Sequence, residues 1–334
     1  MTDSVIQLIV FSSKAFILVL LLLFLFAGIL SLLGRGKEKM NGKITVENLN
    51  EKYADIKNAL SEEILSKAEL KKFRKKIKQQ DKEKEEALKT TPQKKIFVLH
   101  FNGDIKGSEV ASLREEITAI LCVASTDDEV VVTVESGGGM VHAYGLAAAQ
   151  LARLRQKKIP LTVIVDKVAA SGGYMMACIA DQLLAAPFSM IGSIGVIVQL
   201  PNFHRVLKNN HIDFEQVTAG DYKRTLTLFG ENTKEGRQKL HQEVEEIHHL
   251  FKDLIQKHRP QLDMDLVSTG EVWLGTKALE LKLIDGLTTS DDYLLSQHEL
   301  ADLYEIQYHT KKSLSEKIFG SVSMLRKDLT GSMV

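Results

Sequence analysis

Three short runs built almost wholly of β-branched and other large apolar residues leave this chain little choice of architecture: residues 95–101 (KIFVLHF), 130–134 (VVVTV) and 161–165 (LTVIV). None shows the apolar–polar alternation of a strand with one wet face, so each reads as a strand covered on both sides. Between them lie segments of helical period, one over residues 112–124 opened by Ser108 and Glu109, another over 142–156. Strand and helix alternating at this spacing make repeated βαβ units, and the fold class is α/β with a largely parallel sheet.

The second run ends in ESGGG (135–139), and the third leads into VAASGGYMMA (168–177). In parallel α/β folds ligands bind beyond the carboxyl ends of the strands, where both glycine-bearing turns fall. Ser171 is expected at a strand-to-helix turn, its hydroxyl projecting into a cleft beside the first N–H groups of the helix. A nucleophile attacking a carbonyl needs such donors for the developing oxyanion. Tight packing of small residues is the other reading of the same segment. The glycines at 137–139 offer bare backbone that a ligand can approach closely. Their loop is neither GxGxxG nor a P-loop, because no Lys-Ser/Thr follows; a phosphate-binding loop or a plain tight turn is the alternative.

A neutral serine needs a base. No histidine after Ser171 recommends itself, since the next, His204, lies beyond a polar break. Lys223 stands in VTAGDYKRTLTL (217–228), among small and apolar residues after a strand-like segment at 213–217. A lysine works as a base only when neutral, a form that burial without a carboxylate partner favours. An ordinary surface lysine is the competing reading.

Composition narrows the classes. With 43 basic and 43 acidic residues the formal net charge is zero, so long-range attraction to nucleic acid is not implied. Cys122 and Cys178 sit in apolar runs and read as small core residues rather than a disulfide or metal framework. Ten histidines are scattered without metal-ligand spacing, and His248-His249 lies on a charged helical pattern that should be solvated. Neither a metal nor another cofactor is expected.

Residues 15–33 are 19 residues without a charge, enough for one membrane span at a rise of about 1.5 Å per residue. A cleaved signal peptide would usually have a shorter apolar core and a small-residue cleavage site, whereas this run ends in LGRGK (33–37). A retained anchor over residues 1–34 is therefore expected. The apolar stretch 183–200 is broken by Pro187, Gly192 and Gly195 and reads as strand and loop. Residues 35–92 read as a charged helical spacer, with Leu60, Ile64, Leu65, Leu70, Phe73 and Ile77 in a narrow apolar stripe and Thr91-Pro92 at its end. The main domain is placed at 93–310. A tail at 311–334 follows, with Leu314, Ile318, Val322 and Leu325 at helical spacing. Lys14 before the apolar run, against Arg35, Lys37, Lys39 and Lys43 after it, favours a cytoplasmic domain by charge bias.

Four ordered motifs carry a resemblance: VAASGGYMMA (168–177), GSIGV (192–196), AGDYKR (219–224), and GEVWLG (270–275) with ALELKLID (278–285). Over about residues 95–295 the chain resembles the signal peptide peptidase A family of membrane-anchored bacterial Ser–Lys proteases. That resemblance implies a ClpP/crotonase-like fold, Ser171 as nucleophile, Lys223 as general base, and the N–H groups of Gly138 and Gly172 as oxyanion donors. Peptide would run along the loop at Gly137 and Gly139. It further implies apolar peptide substrates such as signal peptides, a homo-oligomeric ring in which Ser and Lys come from adjacent protomers, and an inner-membrane protein with its domain on the periplasmic face. One departure stands out: many relatives read NSPGG where this chain has ESGGG, which loosens the loop at Gly137 and brings the Glu135 carboxylate near it. Ser193 matches the family pattern as a turn residue. A non-catalytic membrane scaffold and, less in keeping with an anchor, an acyl-CoA enzyme are the alternative functions.

Overall fold

The computed structural model describes residues 14, 17–19, 21, 42–88 and 93–310. In chain order these form β1 (Lys43–Asn48), α1 (Leu49–Ile64), α2 (Lys67–Leu88), β2 (Lys95–Gly103), α3 (Val110–Val123), β3 (Glu129–Ser136) and α4 (Val141–Gln156). There follow β4 (Leu161–Val165), β5 (Val168–Ala170), α5 (Gly172–Ala177), β6 (Gln182–Ala185), β7 (Met190–Gly192), α6 (His204–Asn209) and α7 (Lys234–His258). The last are α8 (Met264–Val267), β8 (Val272–Leu274), α9 (Gly275–Glu280), β9 (Gly286–Leu287), α10 (Ser290–Gln297) and β10 (Asp302–His309).

The three apolar runs become β2, β3 and β4 in the middle of a sheet ordered β1-β10-β2-β3-β4-β6-β9. Neighbours from β10 to β9 pair in parallel, as buried strands joined by helical crossovers must. Alternate side chains serve opposite faces. Phe97, Leu99, Phe101, Val130, Val132, Val163 and Val165 pack against α3, α4 and α5 through Leu113, Ile117, Ala147, Leu151 and Met176. Ile96, Val98, Val131 and Ile164 meet Leu49 of α1 and Leu294 of α10 on the other face. Each run lacks polar alternation because both faces are covered.

Two expected elements differ. The spacer begins with a strand: Ile44, Thr45 and Val46 extend beside β10, where the Thr45 hydroxyl donates to the Gln307 carbonyl at 3.3 Å. Asn48 then caps α1 by accepting from the N–H groups of Asn50 and Glu51. The helical stretch is also divided at Leu65–Ser66. Ser66 and Glu69 form a capping box there, the Ser66 N–H donating to Glu69 Oε2 at 3.1 Å and the Glu69 N–H to Ser66 Oγ at 3.4 Å. The strand-like segment at 213–217 is irregular, its Val217 side chain 98% exposed, so no neighbour fixes it as a strand.

The chain divides into two compact units, Ile44–His309 and a second of Met1–Lys43 with Thr310–Val334. In the second, residues 14, 17–19 and 21 are helical and exposed. The expected anchor at 15–33 lies largely outside the described residues, and the tail at 311–334 wholly so. Among the described residues no helix is long and apolar enough to cross a membrane.

Candidate active site

Strand β3 ends at Ser136, whose Cα pairs with Ala169 of β5, so the glycine loop and the serine turn leave the sheet side by side. Ser171 sits between β5 and α5 with φ 52° and ψ −118°, a conformation that L-residues rarely adopt outside tight turns. Its N–H donates to the Gly192 carbonyl at 2.8 Å, and its carbonyl accepts from Met175 N–H at 2.9 Å. The turn is thus pinned from β7 and from α5, and its hydroxyl stands at the head of a helix with orphan N–H groups. Ser193, with φ 51°, repeats the geometry at the end of β7 and donates its N–H to the Glu271 carbonyl. It is a turn residue.

The glycines are required by contact. A Cβ on Gly172 would lie 2.4 Å from the Tyr144 ring, and one on Gly139 would lie 2.2 Å from the Ile105 carbonyl oxygen. Gly138 has φ 87°, and a Cβ there would meet Gly172 N at 2.6 Å, so the two loops touch backbone to backbone. Packing alone therefore requires small residues at Gly138, Gly139 and Gly172.

Ser171, Gly172 and Gly139 line a cavity of about 70 Å³ whose other walls include Val141, Met175, Val196, Ile247 and Phe251. Gly138 faces inward: its N–H donates to Ser136 Oγ at 3.1 Å. Gly139, expected beside bound peptide, lines the cavity next to the serine, while the N–H of Gly138, the expected oxyanion donor, points to Ser136. Gly137 is exposed. The Glu135 carboxylate is held by Lys167 Nζ at 3.0 and 3.1 Å; strand alternation puts it on the sheet face opposite buried Ser136.

Lys223 lies elsewhere. It is exposed, its N–H donates to the Gly220 carbonyl at 3.2 Å, and it lines a separate cavity of about 690 Å³ with Leu200, Phe214, Leu226 and Phe229. The two candidate catalytic side chains thus border different cavities.

Helix α7 supplies a wall of the cavity through Ile247 and Phe251, which no catalytic motif in the sequence marks. Leu240, Val244, Ile247, Phe251 and Ile255 form an apolar stripe at helical spacing, the one signal that marked this face as buried. The end of α7 is anchored by Arg259, 3% exposed, which donates to both Asp285 oxygens at 2.7 and 2.8 Å. Of the two histidines expected in solvent, His249 is exposed, but His248 is half-buried and its Nε2 is enclosed without a hydrogen-bond partner. Cys178 is a core residue, its thiol pushed up to about 12 chiefly by burial, whereas Cys122 is exposed.

An α/β sheet thus brings a serine turn with positive φ and a glycine loop to the border of one apolar cavity. Residues 3–151 match the N-terminal part of peptidase family S49, and residues 153–304 match peptidase family S49 itself. The chain belongs to this family, of the signal peptide peptidase A type, and is a peptidase. It is similar to a Haemophilus influenzae protein described as "Probable protease SohB", 45% identical over 318 residues, 92% of this chain and 90% of the relative. A protein of the same description from Buchnera aphidicola subsp. Acyrthosiphon pisum is 56% identical over 238 residues, 71% of each chain. Among solved structures, the 1510-N membrane-bound stomatin-specific protease aligns with a TM-score of 0.41 and 15% identity, over 62% of this chain and 86% of that one.

Proposed function

We propose that the chain is a membrane-anchored serine endopeptidase of ClpP/crotonase-like fold, with Ser171 as nucleophile and Lys223 as general base. The observation that carries this reading is the Ser171 turn, strained at φ 52° and opening onto an apolar cavity at the head of α5. Neutral Lys223 takes the Ser171 proton as the hydroxyl oxygen attacks the scissile carbonyl. The oxyanion rests on the Gly172 N–H and on a loop N–H. As the loop stands, Gly139 is the residue facing the cavity, and Gly138 serves only if its peptide turns away from Ser136. Collapse of the tetrahedral intermediate expels the amine with a proton and leaves the acyl-enzyme, which water hydrolyses.

Val141, Met175, Val196, Ile247 and Phe251 make the cavity apolar and suit it to apolar side chains of an extended peptide, such as signal peptides or misfolded membrane-proximal segments. Separate cavities for Ser171 and Lys223 favour a homo-oligomer in which the dyad forms between chains. Residues 15–33 serve as the inner-membrane anchor, with the catalytic unit on the periplasmic face, since long domains translocate despite flanking charge. A C-terminal reporter active only in the periplasm tests that side, and a signal confined to the cytoplasm would reverse it.

The decisive experiment is hydrolysis of an apolar quenched-fluorescent peptide by detergent-solubilised protein, wild type against Ser171→Ala. Turnover that rises with pH and disappears in the variant is expected. Equal turnover in both would remove Ser171 from the mechanism.

A further inference from the structure

The glycine loop does not hold itself in place. Beneath it, Ser136 Oγ is 2% exposed by residue and accepts from the Gly138 N–H at 3.1 Å. The same oxygen lies 2.6 Å from the hydroxyl of fully buried Tyr144, which donates to the Asp104 carbonyl at 2.7 Å. A carbonyl can only accept and an amide can only donate. Tyr144 therefore spends its single proton on Asp104, and its oxygen is left to receive the proton of Ser136. The hydrogen bonds run in one direction, from Gly138 N–H through the Ser136 and Tyr144 hydroxyls to the Asp104 carbonyl. The Gly103 carbonyl, 3.3 Å from Ser136 Oγ, is the only other acceptor of the Ser136 proton among the contacts of the described residues.

Tyr144 also reaches the second loop. Its ring packs under Gly172 closely enough to exclude a methyl group, and Gly173 lies as closely on the Ser136 carbonyl oxygen. One buried pair thus touches both backbones that meet around the candidate oxyanion site, at Gly138 and at Gly172.

We infer that Ser136 and Tyr144 are positioning residues for acyl transfer: their directed hydrogen-bond chain fixes the plane of the Gly138 amide and so aims the loop at the Ser171 cavity. With the Gly138 N–H tied inward, the trans peptide turns the Gly137 carbonyl outward, toward exposed backbone able to accept from an extended peptide. Neither side chain touches substrate. Their effect falls on the rate of the chemical step, because loop donors serve a charge that exists only in the transition state.

This inference rests on the Ser171 reading, so the test separates the two. Ser136→Ala removes the acceptor of the Gly138 N–H. Tyr144→Phe keeps the ring under Gly172, and with it the packing, but breaks the chain. On an apolar quenched peptide, with Ser171→Ala alongside, kcat should fall roughly a hundredfold in Ser136→Ala, as a slightly misplaced catalytic group costs, with KM within about twofold. Tyr144→Phe should lose about tenfold, because Gly103 can still take the Ser136 proton. The double variant should be no worse than Ser136→Ala, since the two act through one chain. Amide exchange in the loop peptide containing Gly138, which needs no activity, should quicken in Ser136→Ala while β2 and β3 stay protected. Lower melting temperatures with unchanged kcat per folded molecule would overturn the inference and leave the pair as packing. So would unaltered exchange at Gly138. Turnover persisting in Ser171→Ala would sink the serine mechanism instead, leaving the exchange result to decide whether Ser136 holds the loop.

Discussion

Two glycines in the same unit should respond oppositely to the same methyl group. At Gly172 the new Cβ would press on the Tyr144 ring at 2.4 Å, and both that ring and the helix backbone are held from behind. Such overpacking costs about 1–3 kcal/mol, and here it displaces a candidate oxyanion donor. Gly172→Ala should therefore lower the melting temperature and abolish measurable turnover. Gly145, inside α4, has nothing within 4 Å of an added Cβ. Gly145→Ala should stabilise by about 0.5–1 kcal/mol, by reducing the freedom of the unfolded chain, and leave kcat unchanged. Thermal unfolding and peptide hydrolysis on both variants check the pair; a stabilised Gly172→Ala would mean that the Tyr144 ring is free to move.

Glu116 of α3 supplies a pH-dependent counterpart. It is 6% exposed and accepts from the Tyr308 N–H at 2.8 Å. Burial pushes its carboxyl up to about 7 from an ordinary 4.5, despite the hydrogen bond from Tyr308. Between those values the folded state binds more protons than the unfolded one, so stability falls as pH rises from about 4.5 to 7. Glu116→Gln keeps an acceptor for Tyr308 and removes the charge. It should raise the melting temperature by several degrees at pH 8 and leave it unchanged at pH 4; no gain at pH 8 would show that the ionised carboxylate is well accommodated.

At the scale of elements, one side chain stitches α1 to the sheet. Asn50 Nδ2 donates to the carbonyls of His298 and Ala301 at 2.6 and 2.9 Å, and its Oδ1 accepts from Leu303 N–H at 2.7 Å. Asn50→Ala strands these groups at a part-buried seam, a loss of about 2 kcal/mol. Amide exchange should quicken in β1 and β10 and stay unchanged around Ser171; unchanged exchange in both strands would show that Leu49 and Tyr53 hold α1 alone. This join also shows what was legible in the chain. The runs at β2, β3 and β4 could be read because continuous apolar sequence has few uses besides a doubly covered strand. The Ser171 turn could be read because a serine followed by two glycines at a strand end leaves few conformations. The six residues of β1 could not, since KITVEN beside a long charged stretch becomes a strand only when β10 is there to pair with it. Segment 213–217 failed in the opposite sense, having strand-like residues and no partner. The α7 wall of the cavity and the inward turn of the Gly138 N–H depend on contacts between distant segments, to which local pattern is blind.

For the whole molecule, the distance between chemistry and architecture centres on Lys223. Its cavity is bordered by Phe214, Val217 and Phe229, and Val217 and the adjacent Tyr222 are 98% and 63% exposed. Apolar side chains so open are unusual on a surface that stays in water and suit one that another copy covers. In a cyclic assembly each contact is heterologous, one face of a chain meeting a different face of the next, so Lys223 of one copy can serve Ser171 of its neighbour. Complementation tests this. Ser171→Ala and Lys223→Ala should each be inactive alone. Unfolded together and reassembled, they should recover activity, because some junctions then pair an intact serine with an intact lysine. Random mixing in a closed ring leaves roughly a quarter of junctions intact, so recovery should approach about a quarter of the wild-type rate. Mixing without exchange of subunits should recover nothing. A mixed assembly, verified by two different tags, that remains inactive would place both residues of the dyad on one chain and require the Lys223 loop to fold back onto its own serine.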